Sequence, residues 1–210
     1  MKGIIIAGGY IDENENIKQY IDSDTFVVCA DCGYVYAKEH NISADVLVGD
    51  FDSMDKPQKG SFEIVTHPVE KDATDSQLCI DVICEKNITE CLLFGALGGK
   101  RFDHAVANLQ LLEYALNKGV KLKIIDYLTE IFLIDGGKAE IEGEIGDTVS
   151  VFALDCAEGL SYEGLKYELT GGRLTRDNPY CVSNSMVCKK AKISLKKGKI
   201  IIIHIGGETL

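Results

Sequence analysis

An α/β domain with a mainly parallel sheet flanked by helices, followed by an all-β sandwich domain, is the fold class this sequence predicts. Two textures predict it. Up to about residue 126, short apolar runs alternate with longer stretches of helical character, the pattern of βαβ units. From about residue 127 the segments are short, alternating and broken by glycine, as in antiparallel sheets. The expected domains are therefore 1–126 and 127–210, and with no Pro- or Ser-rich linker between them they are expected to pack together.

The strands of the first domain are expected at 3–7, 26–30, 46–49, 62–66, 91–95 and 122–125. A helix over 75–86 puts Leu78, Cys79, Val82 and Ile83 on one face, with Thr74 or Asp72 to cap it. A second, over 104–118, carries Ala105, Leu109, Leu112 and Leu116 as a stripe, with Asp103 as the capping residue ahead and Gly119 behind. In the β domain, strands are expected at 140–145, 148–154, 166–169, 191–195 and 199–205. The pairs Gly136-Gly137, Gly171-Gly172 and Lys197-Gly198 fit hairpin turns.

Composition removes several functions. Of the 210 residues 46% are hydrophobic, enough for real cores, and 22 Lys+Arg against 33 Asp+Glu leave a net charge of −11. A chain this acidic lacks the basic footprint that neutralises a phosphate backbone, so nucleic acid is not expected as a partner. The apolar run at 200–203 is too short to span a bilayer, and the N-terminus shows no signal-peptide pattern; no membrane association and a cytoplasmic location are expected. In that setting the eight cysteines read as buried thiols, and Cys29-Ala30-Asp31-Cys32 has no second C-x-x-C to complete a zinc site.

Four constellations lie where a predicted strand ends and the chain turns. In Gly49-Asp50-Phe51-Asp52-Ser53, extended backbone would point both carboxylates the same way, and charges that close repel unless a proton or a divalent cation intervenes. Hard oxygens at this edge suit magnesium carried by a phosphate substrate; a solvated turn capped by Asp52 and Ser53 suits the spacing equally well. In Glu70-Lys71-Asp72-Ala73-Thr74-Asp75, Lys71 can serve a phosphate oxygen and Asp75 a metal, while capping explains one acid. The turn Gly98-Gly99-Lys100-Arg101-Phe102-Asp103-His104 offers backbone N–H groups and a bidentate arginine to an anion, although it is not a Walker A loop. The last pairs Gly8-Gly9 with Ala30-Asp31-Cys32-Gly33, neither of which makes a dinucleotide fingerprint. Strand C-termini of a parallel sheet share one edge, so these distant residues are expected to converge.

With these motifs assembled, the chain resembles the thiamine pyrophosphokinase family. The resemblance also includes Gly-Leu-Lys-Tyr-Glu-Leu at 164–169 and Val-Ser-Asn at 182–184, and it covers nearly the whole chain. It implies a β-sandwich thiamine-binding domain behind the catalytic one, and a homodimer with active sites between subunits. It implies that ATP and thiamine give AMP and thiamine diphosphate with Mg2+. By motif, Asp50, Asp52 and Asp75 are the magnesium and catalytic acids. Gly8, Gly9, Asp31, Gly33, Lys71, Asp72, Thr74 and Arg101 are nucleotide and phosphate contacts, with Arg101 also catalytic; Asp103, Ser183 and Asn184 are substrate contacts. Two positions depart from the pattern: Cys32 stands where many relatives have glycine, and Lys71 where some have glutamine. The same fold could serve a magnesium-dependent phosphohydrolase, a pyrophosphokinase of another small alcohol such as a hydroxymethylpterin, or a nucleotide-sensing module.

Overall fold

The structure, a computed structural model, describes residues 1–49, 62–66, 73–99 and 101–207. It divides into two compact units, Met1–Tyr127 and Leu128–Leu210.

The first unit contains β1 (Lys2–Ile6), β2 (Thr25–Ala30), β3 (Val46–Gly49), β4 (Glu63–Thr66), β5 (Glu90–Phe94) and β6 (Lys121–Asp126). All are parallel, in the order β6-β5-β1-β2-β3-β4. Both faces of the sheet are covered, which is why its central strands read as unbroken apolar runs rather than alternating ones. Ile4, Ile6, Val27, Cys29, Leu47 and Phe94 pack on one face with Ala37 of α1 (Gly33–Glu39). The positions between them face the other way, where a Cβ on Gly3 would meet Ile83 of α2 (Asp75–Glu85).

Local chemistry starts and stops the helices. The Thr74 hydroxyl accepts from the Gln77 N–H at 3.2 Å and caps α2. The helix α3 (Phe102–Asn117) ends where Gly119, at φ +83°, lets Val120 N–H reach Ala115 O at 2.9 Å. It begins earlier than the sequence reading had it: Arg101 is the capping position and Asp103 lies inside the first turn. The sequence reading did not single out α1, because seven residues with only Gly33 and Ala37 buried make no stripe to detect.

In the second unit, β7 (Thr129–Glu142) and β12 (Lys190–Ile205) pair antiparallel along their length. The other edge of β12 is shared: β9 (Cys156–Glu163) takes its first half and β8 (Thr148–Ala153) its second. Outside these, β10 (Leu169–Thr175) pairs with β9 and β11 (Asn184–Ser185) with β8. One core joins both halves, with Ile141, Ala191 and Ile193 from one and Val149, Val151, Ile200 and Ile202 from the other, so the ribbon folds over itself into a sandwich.

The three expected turn pairs are not hairpin turns. Gly136-Gly137 lies inside β7 and Lys197-Gly198 inside β12, on facing sides of the register shift between Leu195 and Lys199. Gly171-Gly172 lies inside β10, at the shift between Leu169 and Gly172. Positive φ is needed in bulges as in hairpin turns, and here bulges bend the long strands. The expected strand over 166–169 is mostly loop, and β9 went unread because its inward residues Ala157, Leu160 and Tyr162 slip register at Gly159. All eight cysteines are free thiols, but only Cys29, Cys79, Cys91 and Cys181 are buried; Cys32, Cys84 and Cys156 are half-buried and Cys188 is exposed. No helix among the described residues is long and apolar enough to cross a membrane.

Candidate active site

From β1 the chain steps outward through β2, β3 and β4, then returns to lay β5 on the opposite side of β1. The order therefore reverses between β1 and β5. That is where open α/β sheets bind ligands.

These loops are joined beyond the strands. Ala7 N–H donates to Phe94 O at 2.9 Å, Gly9 N–H to Gly95 O at 3.1 Å, and Tyr10 N–H to Gly98 O at 3.4 Å. A Cβ on Gly9 would stand 2.3 Å from Gly95 O, so only glycine allows the contact. Asn108 of α3, a residue the sequence reading passed over, donates its side-chain N–H to Ala96 O at 2.8 Å and ties the glycine loop to the helix. An inward amide on an otherwise apolar helix face was its available signal.

The neighbouring edge is equally tight. Asp31 adopts φ +47°, and its N–H donates to Val48 O at 2.9 Å. A Cβ on Gly33 would fall 2.0 Å from Ile6 O. A Cβ on Gly49 would lie 3.2 Å from Asp31 Oδ1, so the missing side chain sets the Asp31 carboxylate beside the backbone entering the Asp-Phe-Asp-Ser motif. Asp50, Asp52, Lys71 and Asp72 lie outside the described residues.

At the start of α2, Thr74 is exposed and spends its hydroxyl on the cap, while Asp75 is half-buried in the first turn. At the start of α3, Arg101 and Asp103 are both exposed and form a bidentate pair, Nε to Oδ1 at 2.9 Å and the terminal nitrogen to Oδ2 at 2.6 Å. The hydrogen bond from Arg101 is the main reason the Asp103 carboxyl titrates at about 2. The arginine is thus held at the mouth of the glycine loop. Burial pushes the Cys29 thiol up to about 12, with the Asp45 charge adding to it. Among the described residues no group of three His, Cys, Asp or Glu stands ready to hold a metal.

Glu15 was also missed. It is buried, and its carboxylate accepts from Tyr127 N–H at 2.8 Å. Burial raises its pKa, and the charges of Asp126 and Asp12 add to the rise against that hydrogen bond.

In the β unit, Ser183 is exposed at φ +58° and its N–H donates to Ser150 Oγ at 2.9 Å. Asn184 is buried. Its Oδ1 accepts from Tyr167 N–H and Ser185 N–H, both at 2.9 Å, and its Nδ2 donates to Tyr167 O at 2.7 Å. His204 lies in no histidine cluster and pairs instead with buried Asp147, Nε2 to Oδ2 at 2.9 Å.

A doubly wound parallel sheet with glycine-lined loops at its switch point, continued by a β sandwich, defines a two-part protein of the ligand-binding α/β class. Family comparison specifies it further. The model of the thiamin pyrophosphokinase catalytic domain matches residues 17–124, and that of the thiamin pyrophosphokinase vitamin B1 binding domain matches residues 138–200. Thiamine pyrophosphokinase of Bacillus subtilis (strain 168) is 30% identical over 208 residues, covering 95% of this chain and 96% of that protein. The crystal structure of the Bacillus subtilis enzyme superposes with a TM-score of 0.88 at 26% identity, over 99% of this chain and 100% of that one. A thiamin pyrophosphokinase family protein from Enterococcus faecalis superposes at 0.84 and 26% identity, over 99% and 100%. The chain belongs to the thiamin pyrophosphokinase family and is an enzyme of the kinase class of transferases.

Proposed function

We propose that the chain transfers the pyrophosphoryl group of ATP to the hydroxyl of thiamine, giving thiamine diphosphate and AMP. The observation that carries this reading is the family match over both units, one model for the catalytic domain and one for the vitamin B1 binding domain. The edge of the first unit supplies what such a transfer needs: glycine loops at a switch point, an oriented arginine and carboxylates.

In this reading the thiamine oxygen bonds to the β-phosphorus, the bridging bond to the α-phosphate breaks, AMP departs with that electron pair, and the hydroxyl proton passes to a carboxylate. The loops at Gly8-Gly9 and Gly95–Gly99, joined by the Gly9 N–H to Gly95 O bond, are the proposed place for the phosphates, with Gly33 allowing the close approach of the Asp31 loop. Arg101, aligned by Asp103, neutralises charge developing on the transferred group, joined by Lys71. Thr74, which caps α2, and Asp72 complete the proposed nucleotide contacts.

The donors suit magnesium. Asp75 and Asp31 are half-buried carboxylates, hard oxygens of the kind it prefers, and the chain leaves Gly49 directly into Asp50 and Asp52. Asp50, Asp52 and Asp75 would hold it, and when bound it would supply charge neutralisation at phosphate oxygens. Ser183, exposed on the β unit, is the proposed thiamine contact. The enzyme is further inferred to be a homodimer with active sites between subunits, for which exposed Tyr180, Val182 and Val187 offer apolar surface.

Incubation with ATP, magnesium and thiamine, beside a hydroxymethylpterin control, tests the reading. AMP and thiamine diphosphate in equal amounts are expected. ADP or inorganic phosphate as main product, or preference for the pterin, defeats it. Light scattering tests the dimer, and a monomer at assay concentration removes that part.

A further inference from the structure

Two buried polar side chains shape the part of the β unit that carries Ser183. Ser150 lies within β8, buried, and its hydroxyl oxygen accepts the Ser183 N–H at 2.9 Å. Ser183 has φ +58°, a conformation an ordinary residue keeps only when its surroundings hold it there. Beside it, buried Asn184 brackets residue 167, accepting from its N–H at 2.9 Å and donating to its C=O at 2.7 Å. Both lone-pair sites of Asn184 Oδ1 are occupied, because Ser185 N–H also donates to it at 2.9 Å. The two backbones are joined again where Lys166 N–H donates to Ser185 O at 2.8 Å.

An oxygen with both lone pairs committed cannot also accept from a ligand without breaking a bracket inside the core, so what Asn184 does through Oδ1 it does through the backbone it holds. We propose that Ser150 and Asn184 are positioning residues for the acceptor alcohol: Ser150 aims Ser183 outward, and Asn184 fixes the adjacent Lys166–Tyr167 backbone against it. This rests on the reading above that places Ser183 at the thiamine. It adds a positioning role to the thiamine contact implied for Asn184 and gives Ser150 a role.

The test is steady-state kinetics on the full-length enzyme with thiamine and ATP varied separately, alongside thermal melting. Ser183→Ala serves as the reference and should raise the thiamine KM. Ser150→Ala should raise the thiamine KM about fivefold, the effect of one lost hydrogen bond, with kcat and the ATP KM within about twofold of wild type. Ser150→Thr, which keeps the hydroxyl, should recover most of that loss. Asn184→Asp keeps the volume and Oδ1 but loses the donor to Tyr167 O, and should raise the thiamine KM by a similar factor. If Ser183→Ala raises the thiamine KM while Ser150→Ala and Asn184→Asp leave it unchanged, or only lower the melting temperature, the positioning role is wrong and the thiamine site stands. If Ser183→Ala leaves the thiamine KM unchanged, the site itself has been misplaced and the inference goes with it.

Discussion

The two units solve opposite problems with the same residue types. In the α/β unit the sheet is buried on both faces, and chemistry is left to the loops where strands end. Glycine there removes side chains so that one backbone can touch another: Gly9 against Gly95, Gly33 against Ile6. In the β unit the strands are long, and glycines lie inside them at bulges, where φ near +61° and +82° at Gly136 and Gly137 bends the ribbon. Acids differ likewise. Buried Glu15 carries a raised pKa, whereas buried Asp147 is held below its ordinary value. A glycine or an acid is thus defined by what faces it, and each contrast can be tested.

The largest effect is expected at the strand edge. Asp75→Asn keeps the Thr74 cap, so α2 should persist with near wild-type melting while diphosphate transfer falls at least about a hundredfold. Asp50→Asn and Asp52→Asn should behave the same way. Turnover within tenfold of wild type at limiting magnesium would remove that residue from the metal site.

Next come the glycines. Gly33→Ala forces a Cβ to 2.0 Å from Ile6 O, a backbone atom that cannot yield, and should cost about 3 kcal/mol. Gly137→Ala meets open space and pays only for φ +82°, about 1 kcal/mol. Chemical denaturation measures both, and equal costs would erase the distinction between close approach and bending.

The acids should part the units as pH falls. Burial opposes ionisation of Asp147 most strongly, but hydrogen bonds from Glu144 N–H, His204 and Gly207 N–H outweigh it and hold its carboxyl below 3.8. Its stabilisation is complete above 3.8 and is lost as pH drops through the lower folded value. Glu15 has the opposite sign: its folded pKa lies above 4.5, so its ionisation penalty, present at neutral pH, disappears as pH falls through that raised value towards 4.5. Asp147→Ala should cost about 3 kcal/mol near neutrality, with the gap to wild type closing below 3.8. Glu15→Gln should remove an acid-side gain in stability. Denaturation across pH checks both, and parallel profiles would defeat the contrast. The smallest effect belongs to Thr74→Ala, about 1 kcal/mol from the lost cap on Gln77 N–H, read from the same denaturation curves.

The α/β unit was the more legible half. A strand covered on both faces is a compact apolar run, as β1, β2 and β3 are, and the remaining strands were short enough apolar runs to be found as well, although β4 at the edge buries none of its four residues. The β unit was harder because bulges interrupt the alternation by which half-buried strands are recognised, as at Gly159 in β9. A glycine pair announces positive φ without saying whether the chain reverses or bends. Asp103 was misplaced because α3 begins at Phe102, 80% exposed, which supplies no apolar-face signal at the helix start. Nothing in the Val-Ser-Asn motif announced that Asn184 is buried.

What the sequence determined by itself is what depends on near neighbours: the six strands of the first unit with α2 and α3, the Thr74 cap, the acidic balance, and the motif set that resembles one family along almost the whole chain. Tertiary structure decided what depends on register and return path. It placed β5 against β1 and so located the switch point, paired Asp147 with His204 across 57 positions, and turned Asn184 inward onto Tyr167. The physical reason is range. Caps and apolar runs act within a turn or a strand, whereas a buried polar group takes its role from whichever distant backbone the folded sheet brings against it.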